Sequence, residues 1–219
     1  MEMTDPRRSL IAEVAALPGT LIVTHRPGDL IFQDGAFAAG VYLVAEGLVA
    51  VGGSGPGAPR PVALAGRGDL LGLEAWRSEP SPRYQGFARA LTPATLLFAT
   101  ADAWARAMDR PPFRELVLSA LAELVLDRRT LALHRDHPEL ALAWTLVRWG
   151  ERTDGEGQVR LSISAATLAS ILGVSRNALR QAVARLSDLA AAHQVNGHIV
   201  GDTRRLHELL AESLTASAR

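Results

Sequence analysis

The sequence predicts an α+β chain in three parts: an N-terminal antiparallel β-roll of jelly-roll type, a long helix, and a C-terminal winged helix-turn-helix. Three observations predict it. Short runs rich in Val, Leu, Phe and Tyr, separated by Gly, Pro and Asp, fill residues 21–100, as antiparallel strands joined by tight turns do. Residues 113–135 then hold no Gly or Pro and are rich in Leu, Ala, Glu and Arg, as a long helix requires. Residues 168–183 finally bring together the residue types of two crossed helices and the sharp turn between them.

Composition sets the bounds. A chain of 219 residues can build one large domain or two small ones with real cores, and the parts fall at 1–110, 111–137 and 138–219. With 48% apolar and 21% charged residues, the balance is that of a globular protein, not a disordered one. The absence of cysteine excludes disulfides, iron–sulfur clusters, thiolate zinc sites and thiol redox sensing. All 23 basic side chains are Arg, a bias that fits a chain dominated by Ala, Leu, Gly and Arg, and it excludes a catalytic or Schiff-base lysine. Net charge is zero, so nucleic-acid binding has to be argued locally. Residues 1–10 carry acids and no apolar run, which is no signal peptide. The apolar run 41–51 is broken by Glu46 and Gly47 and is too short for a bilayer, so a cytoplasmic protein with no membrane partner is expected.

In the β part, strands are expected at 21–24, Leu30–Phe32, 41–45, 48–51, 61–64 and 95–99, with 52–57 an exposed hairpin loop. Along the long helix Val117, Leu121, Leu124 and Leu131 are spaced by four, three and seven, with Arg128 interrupting the seam. That heptad-like stripe suits a partner helix and marks these four as a homodimer interface, unless the helix merely packs on its own β-roll. The third part reads as a helix at 139–152, a loop at 153–157 and an alternating strand at 158–163. Helices at Ala165–Leu172 and 175–189 follow, separated by Gly173-Val174. Asn196-Gly197 between two short strands suits the two positive-φ positions of a type I′ hairpin, and a last helix spans 203–214.

Within the helix pair, small Ala169 permits close crossing, Gly173 supplies the left-handed residue that ends the first helix, and Ser175 can cap the second. Leu179, Ala182, Val183 and Leu186 form the apolar stripe of the second helix. Arg176, Asn177, Arg180, Gln181 and Ala184 point the other way, with Arg185 at the margin. Arg pairs bidentately with guanine, and Asn or Gln with adenine, in the major groove of double-stranded DNA. Solvated helix faces usually mix Glu with Arg, whereas from Gly157 to Ser187 there are four Arg and no acid. Ser175, Arg176, Asn177, Arg180, Gln181 and Arg185 are therefore the candidate DNA-binding residues.

At this point the sequence resembles the CRP/FNR (catabolite activator) family over nearly its whole length. The resemblance rests on 28–35 (GDLIFQDG), 42–49 (YLVAEGLV) and 68–72 (GDLLG), and on the helix, the 161–164 strand and the wing in the family's order. It implies a cyclic-nucleotide-binding-like β-roll, a dimerisation helix, and a DNA-binding transcription regulator, commonly an activator, that addresses RNA polymerase. Cyclic-nucleotide binders of the family carry Gly-Glu-Leu followed by Arg-Ser or Arg-Thr, the Glu holding ribose and the Arg the cyclic phosphate. Here the first motif reads Gly72-Leu73-Glu74, and Tyr84-Gln85 stand at the Arg-Ser positions with Arg83 one residue off. A one-residue shift of the loop would still bring Arg83 and Glu74 inside. Gly72, Glu74, Arg83, Tyr84 and Gln85 thus outline an effector pocket whose ligand is unknown, and dependence on cyclic AMP is not expected. At the recognition helix the family's Arg-Glu start and later Arg become Arg176, Asn177 and Gln181, which should change the half-site.

No catalytic constellation stands out, so an enzyme is not expected, and neither is a cofactor: there is no P-loop, no His-Glu-x-x-His and no Ser/His/Asp spacing. A jelly-roll enzyme of the cupin kind would need clustered His and Glu ligands, and His25 is the only His in 21–100. His25, or a His of the 134–137 segment, as a haem or metal ligand competes with the plainer role of a solvated surface side chain. The remaining alternative is a small-molecule-sensing protein-interaction module with a degenerate DNA-binding domain.

Overall fold

Residues 21–100 fold into two four-stranded antiparallel sheets in a computed structural model that describes residues 6–53, 60–76, 81–153 and 157–216, the side chains of 214–216 excepted. The strands are β1 (Leu21–His25), β2 (Leu30–Phe32), β3 (Gly40–Glu46), β4 (Val49–Gly53), β5 (Arg60–Ala65), β6 (Leu70–Leu71), β7 (Phe87–Ala90) and β8 (Ala94–Thr100). One sheet runs β1-β8-β3-β6 and the other β2-β7-β4-β5. Inner strands β3 and β8 are buried at most positions instead of alternating, because helices cover the face that the second sheet does not. The tip of the hairpin expected at 52–57 lies largely outside the described residues, but its flanking strands β4 and β5 do pair antiparallel.

Two of those covering helices were not expected. α1 (Pro6–Ala15) buries Leu10 and Val14, four residues apart on one face, each contributing roughly 1.5–3 kcal/mol as apolar area leaves water. α2 (Ala101–Met108) begins where Thr100 accepts a hydrogen bond from the Ala103 N–H at 3.3 Å, and it buries Ala103, Trp104, Ala107 and Met108. Trp104 meets Phe113 edge-on at 5.3 Å. Arg7 of α1 pairs with Glu123 at 2.7 Å and lies 3.9 Å from the buried Asp69, whose Oδ2 also accepts from the Gly66 N–H at 2.8 Å.

α3 (Pro111–Leu133) is the expected long helix, and its two leading prolines occupy first-turn positions whose N–H groups need no helical partner. The chain divides into two compact units at Leu126/Asp127, so α3 contributes residues to both. Of the four residues expected at a dimer seam, Val117 is taken up by the chain's own core. Val117 is fully buried in the core of the β-roll with Phe113 and Ala120, and Leu121 packs against that same core; Leu124 and Leu131 are half-buried. The stripe that α3 shows to solvent lies one or two positions on, at Leu118 (56% exposed), Val125 (65%), Leu126 (56%) and Leu133 (66%), with exposed Ala122 and Ala132.

The second unit holds α4 (Pro138–Trp149), β9 (Glu151–Arg152), β10 (Gln158–Leu161), α5 (Ala165–Leu172), α6 (Arg176–Asp188), β11 (Ala192–Val195), β12 (His198–Asp202) and α7 (Thr203–Ala216). Its sheet runs β11-β12-β10-β9, all antiparallel. The helix expected to reach residue 152 stops at Trp149. Gly150 turns to extended backbone, and Glu151 and Arg152 pair with Arg160 and Val159. Leu142, Leu146, Leu161, Leu168, Leu186 and Leu206 form the core. Asp127 and Arg148, both largely buried, pair at 2.7 Å and tie the end of α3 to α4.

Candidate nucleic-acid interface and effector pocket

Two caps and one turn fix the helix pair. Ser164 Oγ accepts from the Thr167 N–H at 3.1 Å and so starts α5. Gly173, at φ 68°, ends α5 in the left-handed conformation that a Cβ disfavours. Ser175 Oγ then accepts from the Ala178 N–H at 3.1 Å and starts α6. Leu168, Ala169, Leu179, Ala182 and Leu186 are buried in the angle between the helices and beneath α6. Ser175 thus acts as a cap, with its hydroxyl turned to its own helix.

That packing leaves Arg176, Asn177, Arg180 and Gln181 exposed together on the opposite face of α6. Asn177 Oδ1 accepts from Arg180 Nη2 at 3.1 Å, so two of the four are already held side by side. Arg185 stands apart. Its Nη1 donates to Glu139 Oε2 at 3.2 Å, an ion pair between α6 and the first turn of α4 that no local sequence pattern could announce. His137 Nδ1 lies 3.7 Å from Glu139 Oε1. Behind it, the usual protonation of His134 is disfavoured by burial and then by the neighbouring His137. The wing follows as read: Asn196 (φ 49°) and Gly197 (φ 82°) turn the chain between β11 and β12.

In the β-roll, Gly72, Glu74 and the Gln85 backbone gather around Tyr84, while the side chains of Arg83 and Gln85 are exposed. β6 leads through Gly72 into a 3₁₀ turn, Leu73–Trp76, and a Cβ on Gly72 would come within 2.7 Å of the Tyr84 ring. Glu74 Oε1 accepts from the Gln85 N–H at 3.2 Å. Tyr84 is buried, its ring stacked on Phe32 at 4.2 Å, and its hydroxyl donates to the Gly40 carbonyl at 2.9 Å. Burial, then the adjacent Tyr42, pushes the Tyr84 phenol well above its ordinary value.

Arg83 departs from the expectation. In an extended segment successive side chains alternate, so burying Tyr84 turns Arg83 and Gln85 outward. Arg83 Nη1 donates to the Gly35 carbonyl at 2.6 Å on the exposed side of the roll. The one-residue slide that would carry its guanidinium inside has not occurred. Among the described residues no group of three or more His, Asp or Glu is placed to hold a metal ion, and no helix is long and apolar enough to cross a membrane.

Comparison with known proteins agrees with this architecture. The family model described as cyclic nucleotide-binding domain matches residues 22–111. No curated protein matches the sequence. Among solved structures, a CRP/FNR-family transcriptional regulator from Thermus thermophilus is 24% identical with a TM-score of 0.65, covering 87% of this chain and 98% of that one. FixK2 from Bradyrhizobium japonicum is 19% identical with a TM-score of 0.64, covering 87% and 96%. The c-di-GMP-responsive global regulator CLP of Xanthomonas campestris is 16% identical with a TM-score of 0.65, covering 89% and 98%. Residues 22–111 match the cyclic nucleotide-binding domain, and the chain shares the fold of these solved transcriptional regulators.

Proposed function

We propose that this chain is a sequence-specific DNA-binding transcription regulator that works as a homodimer and does not depend on cyclic AMP. One observation carries the reading: Arg176, Asn177, Arg180 and Gln181 stand exposed together on a helix capped by Ser175, and no acid occurs from Gly157 to Ser187. Such a face offers bidentate partners for guanine and adenine and a local positive field on a chain of zero net charge. The exposed stripe Leu118, Ala122, Val125 and Leu126 supports self-association through α3, since a seam of this kind is stable when a second helix covers it. The CRP/FNR resemblance adds activation as the sign of regulation, RNA polymerase as the protein addressed, and the cytoplasm as the place. It does not add the ligand, because a buried cyclic phosphate needs a paired guanidinium and Arg83 points outward.

Selection of bound DNA from a random pool by the purified protein tests the reading. The expected product is a near-palindrome with half-sites one duplex turn, about 34 Å, apart. Affinity should fall steeply with salt as phosphates take back their counterions. Binding indifferent to salt, or a protein that sediments as a monomer at micromolar concentration, would overturn it.

A further inference from the structure

Arg185 sits where a DNA backbone contact is expected, at the flank of the α6 reading face, one residue (about 100°) round the helix from Ala184. It is nevertheless already engaged. Its guanidinium donates to Glu139 across 3.2 Å, and Glu139 is much the more buried partner, its side chain 17% exposed against 64% for Arg185. The carboxylate's other cationic neighbour, His137, is at 3.7 Å and is charged only when protonated. Surrendering Arg185 to a phosphate would leave a largely buried carboxylate, close to the DNA, without its guanidinium. That loss costs more than an exposed pair of this kind ordinarily contributes.

We propose that Glu139 sets the DNA footprint by holding Arg185 off the phosphate backbone. The inference rests on the DNA-binding reading above and goes beyond it. It gives the first turn of α4 a role in limiting how much phosphate the recognition helix engages. Glu139 is a positioning residue: it acts through Arg185 and touches no base. The arrangement also keeps a negative charge beside the reading face, which weakens unspecific attraction and leaves discrimination to Arg176, Asn177, Arg180 and Gln181.

The test is the slope of log affinity against log salt, measured on the selected site for four proteins: wild type, Glu139→Gln, Arg185→Gln and the double variant. In Glu139→Gln the slope should steepen by ~0.9 for each recognition helix, with tighter binding at low salt, as Arg185 reaches a phosphate. Arg185→Gln alone should leave the slope at the wild-type value, and adding it to Glu139→Gln should abolish the gain. A shallower slope in Arg185→Gln alone would show Arg185 on phosphate in the wild type and overturn the proposal. That arm does not depend on Glu139→Gln folding. A steepening that survives in the double variant would also overturn it, because simple loss of the Glu139 charge would then account for the effect. Wild-type protein that binds no DNA at any salt would overturn the DNA reading itself, and the proposal with it.

Discussion

Arg176 and Tyr84 show how one side chain decides what a surface or an interior can hold. Replacing Arg176 with Ala should cost roughly 1–3 kcal/mol at one guanine and relax preference there, read by competition among single-base variants of the selected site. Asn177→Glu with Gln181→Arg should move the preference toward the half-site read by the family's Arg-Glu helices. Equal weakening on every sequence would place both residues on the backbone instead. Tyr84 gives a pH prediction whose sign follows from its raised phenol. The folded state resists deprotonation more than the unfolded chain does, so the unfolded state loses its proton first. Stability should hold below the ordinary value of 10 and fall as pH climbs above it, and Tyr84→Phe should flatten that decline in chemical denaturation.

At the scale of elements, the α5–α6 pair was legible almost to the residue because its constraints are local. A left-handed glycine, two caps and a buried angle all fall within one short stretch. The wing was legible for the same reason, through Asn196-Gly197. α3 was legible as a helix, but the docking of Val117 onto its own β-roll was not. Heptad spacing is satisfied by Val117, Leu121 and Leu124 and equally by Leu118 and Val125, and only the docking of Val117 into the β-roll separates them. α1 and α2 were missed although Leu10/Val14 and Ala103/Trp104/Ala107/Met108 carry helical spacing, because both are short and lie against the strands they cover. The Arg185–Glu139 pair joins residues 46 apart and leaves no periodic trace. Two substitutions on α3 should therefore behave oppositely. Val117→Ala removes two buried methyl groups and should lower stability by about 2 kcal/mol, more if a cavity remains, without changing the association state. Val125→Glu should leave the protomer folded, as far-ultraviolet circular dichroism would show, yet sediment as a monomer.

Over the whole molecule, the two compact units divide the work unequally. The unit of residues 127–219 presents Arg176, Asn177, Arg180 and Gln181 exposed together, whereas in the β-roll Arg83 is bonded on the exposed side and Tyr84 is buried. Calorimetric titration of cyclic AMP and cyclic GMP into the purified protein should give no saturable heat, and DNA affinity should be the same with and without them. A micromolar dissociation constant that disappears in Arg83→Ala would show that the loop slides after all and would restore Arg83 as the phosphate partner.

The apolar stripe that α3 turns to solvent has a consequence for dosage. In the homodimer proposed above, Leu118, Val125 and Leu126 would be covered when two chains meet, so the fraction of paired chains would follow how many copies are present. Where pairing is incomplete, occupancy of a two-half-site operator rises with the square of the copy number, and a modest change in synthesis or degradation becomes a larger change in output. In the proposed dimer, the rate at which this chain is made would thus enter the output directly, alongside any effector that the β-roll takes.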